Sequence, residues 1–286
     1  MSRIVYVNGS YVPEADAKIS VFDRGFLFAD GVYEVTAVLS GKLVDFGGHM
    51  KRLRRSLDEL ALSSPADDEA LLAIHRELVS RNGIEEGLVY MQITRGAAER
   101  DFAYPSGPVP ASLVLFTQAK PLRDTSAART GIAVATVPDL RWKRRDIKTV
   151  QLLYPSMAKM EAKAKGAGDA WMVDEEGFVT EGTSNNAYIV TAEGVVVTRH
   201  LSNDILHGIT RAAVVRIAEE TGMRIEIRPF SVEEALRARE AFVTSASAFV
   251  MPVISIDGTA IGEAKPGEFT LRLREAYIAE ADANAI

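Results

Sequence analysis

Turn signals of one kind punctuate this chain and restrict what it can fold into. Asn8-Gly9 separates Tyr6-Val7 from Tyr11-Val12, the shortest link two antiparallel strands can make. Glycine after acidic residues recurs in WMVDEEGFVTEG, VTAEGVVV and VISIDGTAIG, each time with strand-forming residues on both sides. Between these hairpins the period changes. In HMKRLRRSLDELAL, Met50, Leu53, Leu57 and Leu60 recur at helical steps, and in DDEALLAIHRELVSRNG, Leu71, Ile74 and Leu78 do the same before a stop at Asn82-Gly83. Further helices are expected at 155–165, 209–220 and 232–239, and strands near 35–39, 88–94, 111–117 and 132–137. Strands and helices do not alternate regularly, which argues against a doubly wound parallel sheet and for an α+β fold.

A chain of 286 residues suits two domains. Residues 118–130 are polar, contain Pro121 and lack periodicity, so they read as the linker. A smaller α+β domain over 1–120 and a larger one over 121–286 are expected. A net charge of -6 excludes a general nucleic-acid binder. The absence of cysteine removes disulfides, thiol nucleophiles and cysteine zinc sites. His49, His75, His200 and His207 do not share a ligand spacing, so no metal is expected. The opening MSRIVYVNGSYV has no apolar signal core, and no run approaches about 18 apolar residues. No membrane partner and a cytoplasmic location follow as expectations.

The chemistry gathers around a few segments. Arg141 to Lys148 is the densest basic cluster, and neighbouring cations can depress a lysine's pKa toward a reactive amine. His207-Gly208-Ile209-Thr210 precedes a helical segment, whose first N–H groups and hydroxyl suit a phosphate. Thr244-Ser245-Ala246-Ser247 is a second turn of small residues. Glu181 sits in Thr180-Glu181-Gly182-Thr183-Ser184-Asn185-Asn186 ahead of a strand, where a carboxylate could face a ring nitrogen. Singly, each has an ordinary reading as a charged connector, a helix cap, a tight turn or a polar loop. A lysine, two anion cradles and an acid together are what pyridoxal-phosphate (PLP) chemistry requires.

The order of motifs resembles a known family. Asp23-Arg24-Gly25, Asp30-Gly31-Val32-Tyr33-Glu34, His49-x-x-Arg52-Leu53-x-x-Ser56, Thr94-Arg95-Gly96, Asp146-Ile147-Lys148, Glu181-Gly182-Thr183-Ser184-Asn185 and Gly208-Ile209-Thr210-Arg211 are similar to those of fold type IV PLP enzymes, most of all the D-amino acid transaminases. The resemblance implies a two-domain α+β fold and a homodimer whose active site lies between the domains. It implies Lys148 as Schiff-base lysine and proton carrier, and Glu181 on the pyridine nitrogen. It puts the phosphate on Arg52, Ile209, Thr210, Ser245 and Ala246, and the substrate carboxylate on Tyr33 and Arg100. It implies ping-pong transfer between a D-amino acid and a 2-oxo acid. The chain departs from the family at Phe102, where a histidine is usual, at Ala246 in place of threonine, and at Tyr154-Pro155 in place of Gly-Asn. Branched-chain L-amino acid transaminase, (R)-selective amine transaminase, aminodeoxychorismate lyase and a non-catalytic protein of the same fold are the alternatives.

Overall fold

The structure, a computed structural model, describes residues 2–286. By packing it falls into two compact units. The first runs to Pro121 and adds Ile147–Gln151 and Ala281–Ile286; the second takes Leu122–Asp146 and Leu152–Glu280.

The first half of the chain forms β1 (Ile4–Val7), β2 (Ser10–Pro13), α1 (Arg24–Phe28), β3 (Gly31–Leu39), β4 (Lys42–Leu43), α2 (Phe46–Glu59), α3 (Asp68–Arg81), β5 (Glu86–Thr94) and β6 (Ser112–Ala119). The strands make one antiparallel sheet in the order β2-β1-β6-β5-β3-β4. The expected hairpin closes at Asn8-Gly9, both with positive φ (46° and 96°), as a tight turn matched to strand twist demands. The two amphipathic helices form where their apolar periods place them. Met50, Leu53 and Leu57 of α2 and Leu71 and Leu78 of α3 share a core with Val32, Val38, Val89 and Met91. Each such side chain contributes roughly 1.5–3 kcal/mol by leaving water. Ile147 belongs to the same core. That side chain helps explain why 147–151, inside the range expected for the larger domain, packs with the first unit.

One polar group in this core should show in acid stability. His75 is fully buried, edge-on to Phe46 at 5.2 Å, with Nδ1 donating to Leu71 O at 2.7 Å. Burial lowers its pKa from 6.5 to about 4. The folded protein therefore holds this ring neutral where the unfolded chain would protonate it. Its stabilising contribution is complete above pH 6.5 and falls away between 6.5 and 4, by at most roughly 3 kcal/mol. Thermal unfolding of His75→Leu against the parent should show a flatter slope across that window; parallel curves would sink the assignment.

The second half forms α4 (Ser126–Thr130), β7 (Ile132–Pro138), α5 (Leu153–Ala164), β8 (Asp169–Val173), β9 (Val179–Gly182), β10 (Asn186–Val190), β11 (Val196–Thr198), α6 (Ile209–Glu220), β12 (Ile225–Ile227), α7 (Val232–Leu236), β13 (Glu240–Ser245), β14 (Phe249–Ile256), β15 (Thr259–Ala260) and α8 (Glu268–Asn284). Its sheet is mixed, in the order β12-β11-β10-β13-β14-β7-β8-β9, with β15 on β14. The helix expected at 209–220 has those bounds, whereas the one expected at 155–165 begins two residues earlier and that at 232–239 ends three earlier. The segment read as a linker is more structured than expected. Gln118 and Ala119 still pair in β6, and Thr125 caps the short α4 by accepting from Ala128 N–H at 3.1 Å. Among the described residues no helix is long and apolar enough to cross a membrane.

Candidate active site

In the first unit Lys148, the lysine expected to be reactive, is fixed by its main chain. Tyr33 N–H donates to Lys148 O at 3.0 Å and Val150 N–H to Gly31 O at 3.2 Å. Thr149 bridges Val32, so the segment lies antiparallel to the start of β3. On the other side Lys148 N–H donates to Ser56 Oγ on α2 at 3.4 Å. The lysine Nζ lies 4.2 Å from the centre of the Tyr33 ring. Among the described residues it has no carboxylate partner. Tyr33 is held in turn by a stack, Tyr33 on Tyr90 at 5.5 Å and Tyr90 on Phe116 at 4.8 Å. An amine left out of ion pairs and aimed along a fixed backbone is available to bond a carbonyl carbon.

The same helix explains its own motif. His49, Arg52, Leu53 and Ser56 fall on one face of α2. Leu53 enters the core and Ser56 meets Lys148, while the other two converge on Glu34 of β3. Arg52 forks onto Glu34, with Nε to Oε1 at 2.8 Å and one terminal nitrogen to Oε2 at 2.7 Å, and His49 Nδ1 lies 2.7 Å from Oε2. Burial works to raise the Glu34 carboxyl, but Arg52 and His49 outweigh it and hold the pKa at about 2. The phosphate ligand expected at Arg52 is thus oriented by Glu34, a partner that residue spacing did not reveal.

In the second unit Glu181, at the end of β9, is 4% exposed. It accepts from Arg141 at 2.5 Å, Asn186 Nδ2 at 2.9 Å and Leu206 N–H at 3.1 Å. Burial raises its proton affinity above that of an ordinary carboxylate, against the pull of Arg141 and the Leu206 amide. Arg141, held also by Asp139, keeps its charge more firmly than usual despite its burial. The three arginines expected to act on the lysine are therefore matched otherwise. Arg141 goes to Glu181 and Asp139, Arg144 to Asp146, and Arg145 to Asp139 and Asp204.

Asn186 is the hub of this half. Besides Glu181 it donates to Leu206 O at 3.0 Å, and it pairs in register with Thr244. It also lies so close to Gly208 that a Cβ there would meet Asn186 Oδ1 at 2.1 Å. Only glycine permits that approach. Gly208 caps α6 without any side-chain bond, so the first N–H groups, at Ile209 and the buried Thr210, are not claimed by a cap. Ser245 and Ala246 begin the turn from β13 to β14, beside Thr244. An acid, an uncapped helix start and a turn of small residues thus meet around one asparagine.

Tyr33, also in the first unit, and the loop after β5 complete the predicted residues. The Arg100 guanidinium is exposed and lies 5.4 Å from the Phe28 ring and 5.7 Å from Phe102.

The family model described as Amino-transferase class IV matches residues 31–256. The chain belongs to the class IV aminotransferases. These are PLP enzymes of fold type IV. This aminotransferase is 38% identical over 273 residues to a D-alanine aminotransferase of Staphylococcus aureus, 96% of each chain being covered. It is 37% identical to one from Bacillus licheniformis, over 95% of each. Among solved structures it is similar to a T.th. branched-chain amino acid aminotransferase with pyridoxamine 5'-phosphate, with a TM-score of 0.90 at 28% identity, covering 99% of this chain and 95% of that one. The donor set fits the cofactor. The first unit offers an amine with no carboxylate partner among the described residues, suited to an aldehyde, and the second offers N–H groups at a helix start, suited to a phosphate, and a buried acid of raised proton affinity, suited to a ring nitrogen.

Proposed function

We propose that the protein moves an amino group between a D-amino acid, such as D-alanine or D-glutamate, and a 2-oxo acid, as a cytoplasmic homodimer. The observation that carries this reading is full-length similarity to D-alanine aminotransferases in a chain that keeps Lys148, Glu181 and Arg100. PLP supplies an electron sink for the bond broken at the donor's α-carbon. Lys148 would hold PLP through its aldehyde, and its amine would move the proton at the donor's α-carbon. Glu181, as a carboxylate, would accept a hydrogen bond from the protonated ring nitrogen and hold that proton in place. Arg52, Ile209, Thr210 and the Ser245-Ala246 turn would hold the phosphate. Tyr33 and Arg100 receive the donor's carboxylate, for which a planar guanidinium is suited.

The dimer is supported by the surface around Arg100. Phe26 on α1 and Phe102 in the loop after β5 are 69% and 81% exposed, and Val21 and Phe22, just ahead of α1, are exposed as well. Exposed apolar groups of this kind mark contact surfaces.

The absorption spectrum of the purified protein, mixed in turn with D-alanine, L-leucine and (R)-1-phenylethylamine, tests the reading. Loss of the cofactor's visible band with D-alanine alone supports it. Loss with only L-leucine or only the amine overturns it and leaves PLP and Lys148 in place. Phe102 bears on the amine, because it presents an apolar ring to Arg100 where an added N–H donor would favour a carboxylate. Phe102→His is therefore expected to lower the KM for D-alanine by about three- to tenfold with kcat little changed. A KM that stays or rises in steady-state kinetics would remove Phe102 from the carboxylate site.

A further inference from the structure

Three motif pieces have no task in the chemistry above: Asp23-Arg24-Gly25, the Asp30 that opens Asp30–Glu34, and Thr94-Arg95-Gly96. In the first unit they meet. Arg24 Nε and Arg95 Nε both donate to Asp30 Oδ2 at 2.8 Å, and a second Arg95 nitrogen reaches Oδ1 at 3.1 Å. Arg24 is 2% exposed and Asp30 is 9% exposed. Further donors of both arginines go to main-chain carbonyls. Arg24 reaches Asp101 O at 2.7 Å and Ala103 O at 3.3 Å. Arg95 reaches Leu60 O at 2.8 Å and Ala61 O at 3.1 Å, just past α2. The Tyr104 ring covers both guanidiniums, 3.7 Å from Arg95 and 5.5 Å from Arg24. Backbone bonds from Arg24 to Gly96, Arg95 to Asp30 and Ala98 to Phe22 complete the strap. Gly96, at φ 92°, leaves no room for a side chain, since a Cβ would lie 2.0 Å from Pro110 O.

We infer that Arg24 and Arg95, paired on Asp30, are positioning residues that fix the turn at 101–104 and so aim Arg100. The cluster thereby sets how selectively the enzyme recognises a substrate carboxylate. This rests on the role given to Arg100 under Proposed function. A buried cluster of two cations on one carboxylate is a poor device for stability alone, since well-packed apolar residues often serve as well. What it adds is direction. One rigid guanidinium joins Asp30, through Nε, to the carbonyls on either side of residue 102, through one terminal nitrogen, a span that the single point of a lysine ammonium does not reproduce. Arg100 has no carboxylate partner of its own among the described residues. Its guanidinium lies against the rings of Phe28 and Phe102, so the path of the turn decides where it points. Phe102 rests edge-on against Phe28 at 5.5 Å, which keeps the far side of that turn on α1.

The test compares single-turnover rates of the holoenzyme with D-alanine and with D-alaninamide, which lacks the carboxylate charge. Arg24→Lys should cut the preference for D-alanine about tenfold, with the cofactor spectrum unchanged, because small misplacements of a binding group carry large rate costs. Tyr104→Leu, at an exposed position, should cut it severalfold and carries the test if Arg24→Lys does not fold. Equal losses with both substrates, or an unchanged preference, overturn the inference. Arg100→Met separates the two layers. If it abolishes the preference while Arg24→Lys and Tyr104→Leu leave it intact, only the positioning role fails. If Arg100→Met leaves the preference intact, the reading of Arg100 fails and the positioning role falls with it.

Discussion

Lys148→Ala is expected to fold, bind PLP without a covalent link, and lose turnover by at least about 10⁴-fold, the scale on which removal of a nucleophile that is also a proton carrier is felt. The fold should survive because the bonds that fix this segment, from Tyr33 and to Ser56, are made by the main chain of residue 148 and not by its amine. Chemistry should not survive, because the substitution removes the amine assigned to the cofactor aldehyde and to the proton. Steady-state turnover of D-alanine with pyruvate, paired with thermal unfolding of the same sample, checks both halves. Partial recovery of rate on adding a small primary amine would point to the lost proton carrier in particular. Activity within tenfold of the parent would sink the scheme built on Lys148.

Glu181→Gln is expected to lower kcat by about 10²–10³ with a much smaller change in KM, since the loss is of charge that acts on the reacting ring. An amide fills the same volume and can still accept from Leu206 N–H, but it carries no charge to keep a proton on a pyridine nitrogen. The substitution has a second cost. It takes a carboxylate from the buried Arg141, which keeps Asp139, so stability should fall by about 1–3 kcal/mol and not by more. Kinetics and thermal unfolding together separate the two effects. A variant that is less stable but fully active would show Glu181 to be only the partner of Arg141.

Much of the site can be read along the chain, and the part that cannot has a consistent cause. Lys148, Glu181 and the Ile209-Thr210 helix start can be picked out as candidates because the group needed by the chemistry is itself a residue type in a local pattern, and the order of motifs sets them apart from their ordinary readings. Glu34 on Arg52 and Arg141 on Glu181 are not, because those partners are 18 and 40 residues apart and nothing in the spacing links them. Asn186 is similar: its contacts to Glu181 and Gly208 depend on β10, β9 and α6 arriving at one place. The short α1 offers only five residues, too few for a helical period to show. In α8 the buried Leu273, Tyr277 and Ala281 make only a thin stripe, four residues apart.

What the sequence by itself determined is local. The Asn8-Gly9 hairpin, the apolar faces of α2 and α3 and the bounds of α6 follow from backbone preference and from the need to bury one face, both of which act over a few residues. Its motifs, taken together, also determined the family. The tertiary structure alone decided the company each group keeps. It placed 147–151 against β3, turned the basic cluster before Lys148 onto carboxylates, and set Asp23-Arg24-Gly25, Asp30 and Thr94-Arg95-Gly96 around one ion cluster. Charge pairing and burial depend on distance in space, and chain folding sets that distance without regard to separation along the sequence.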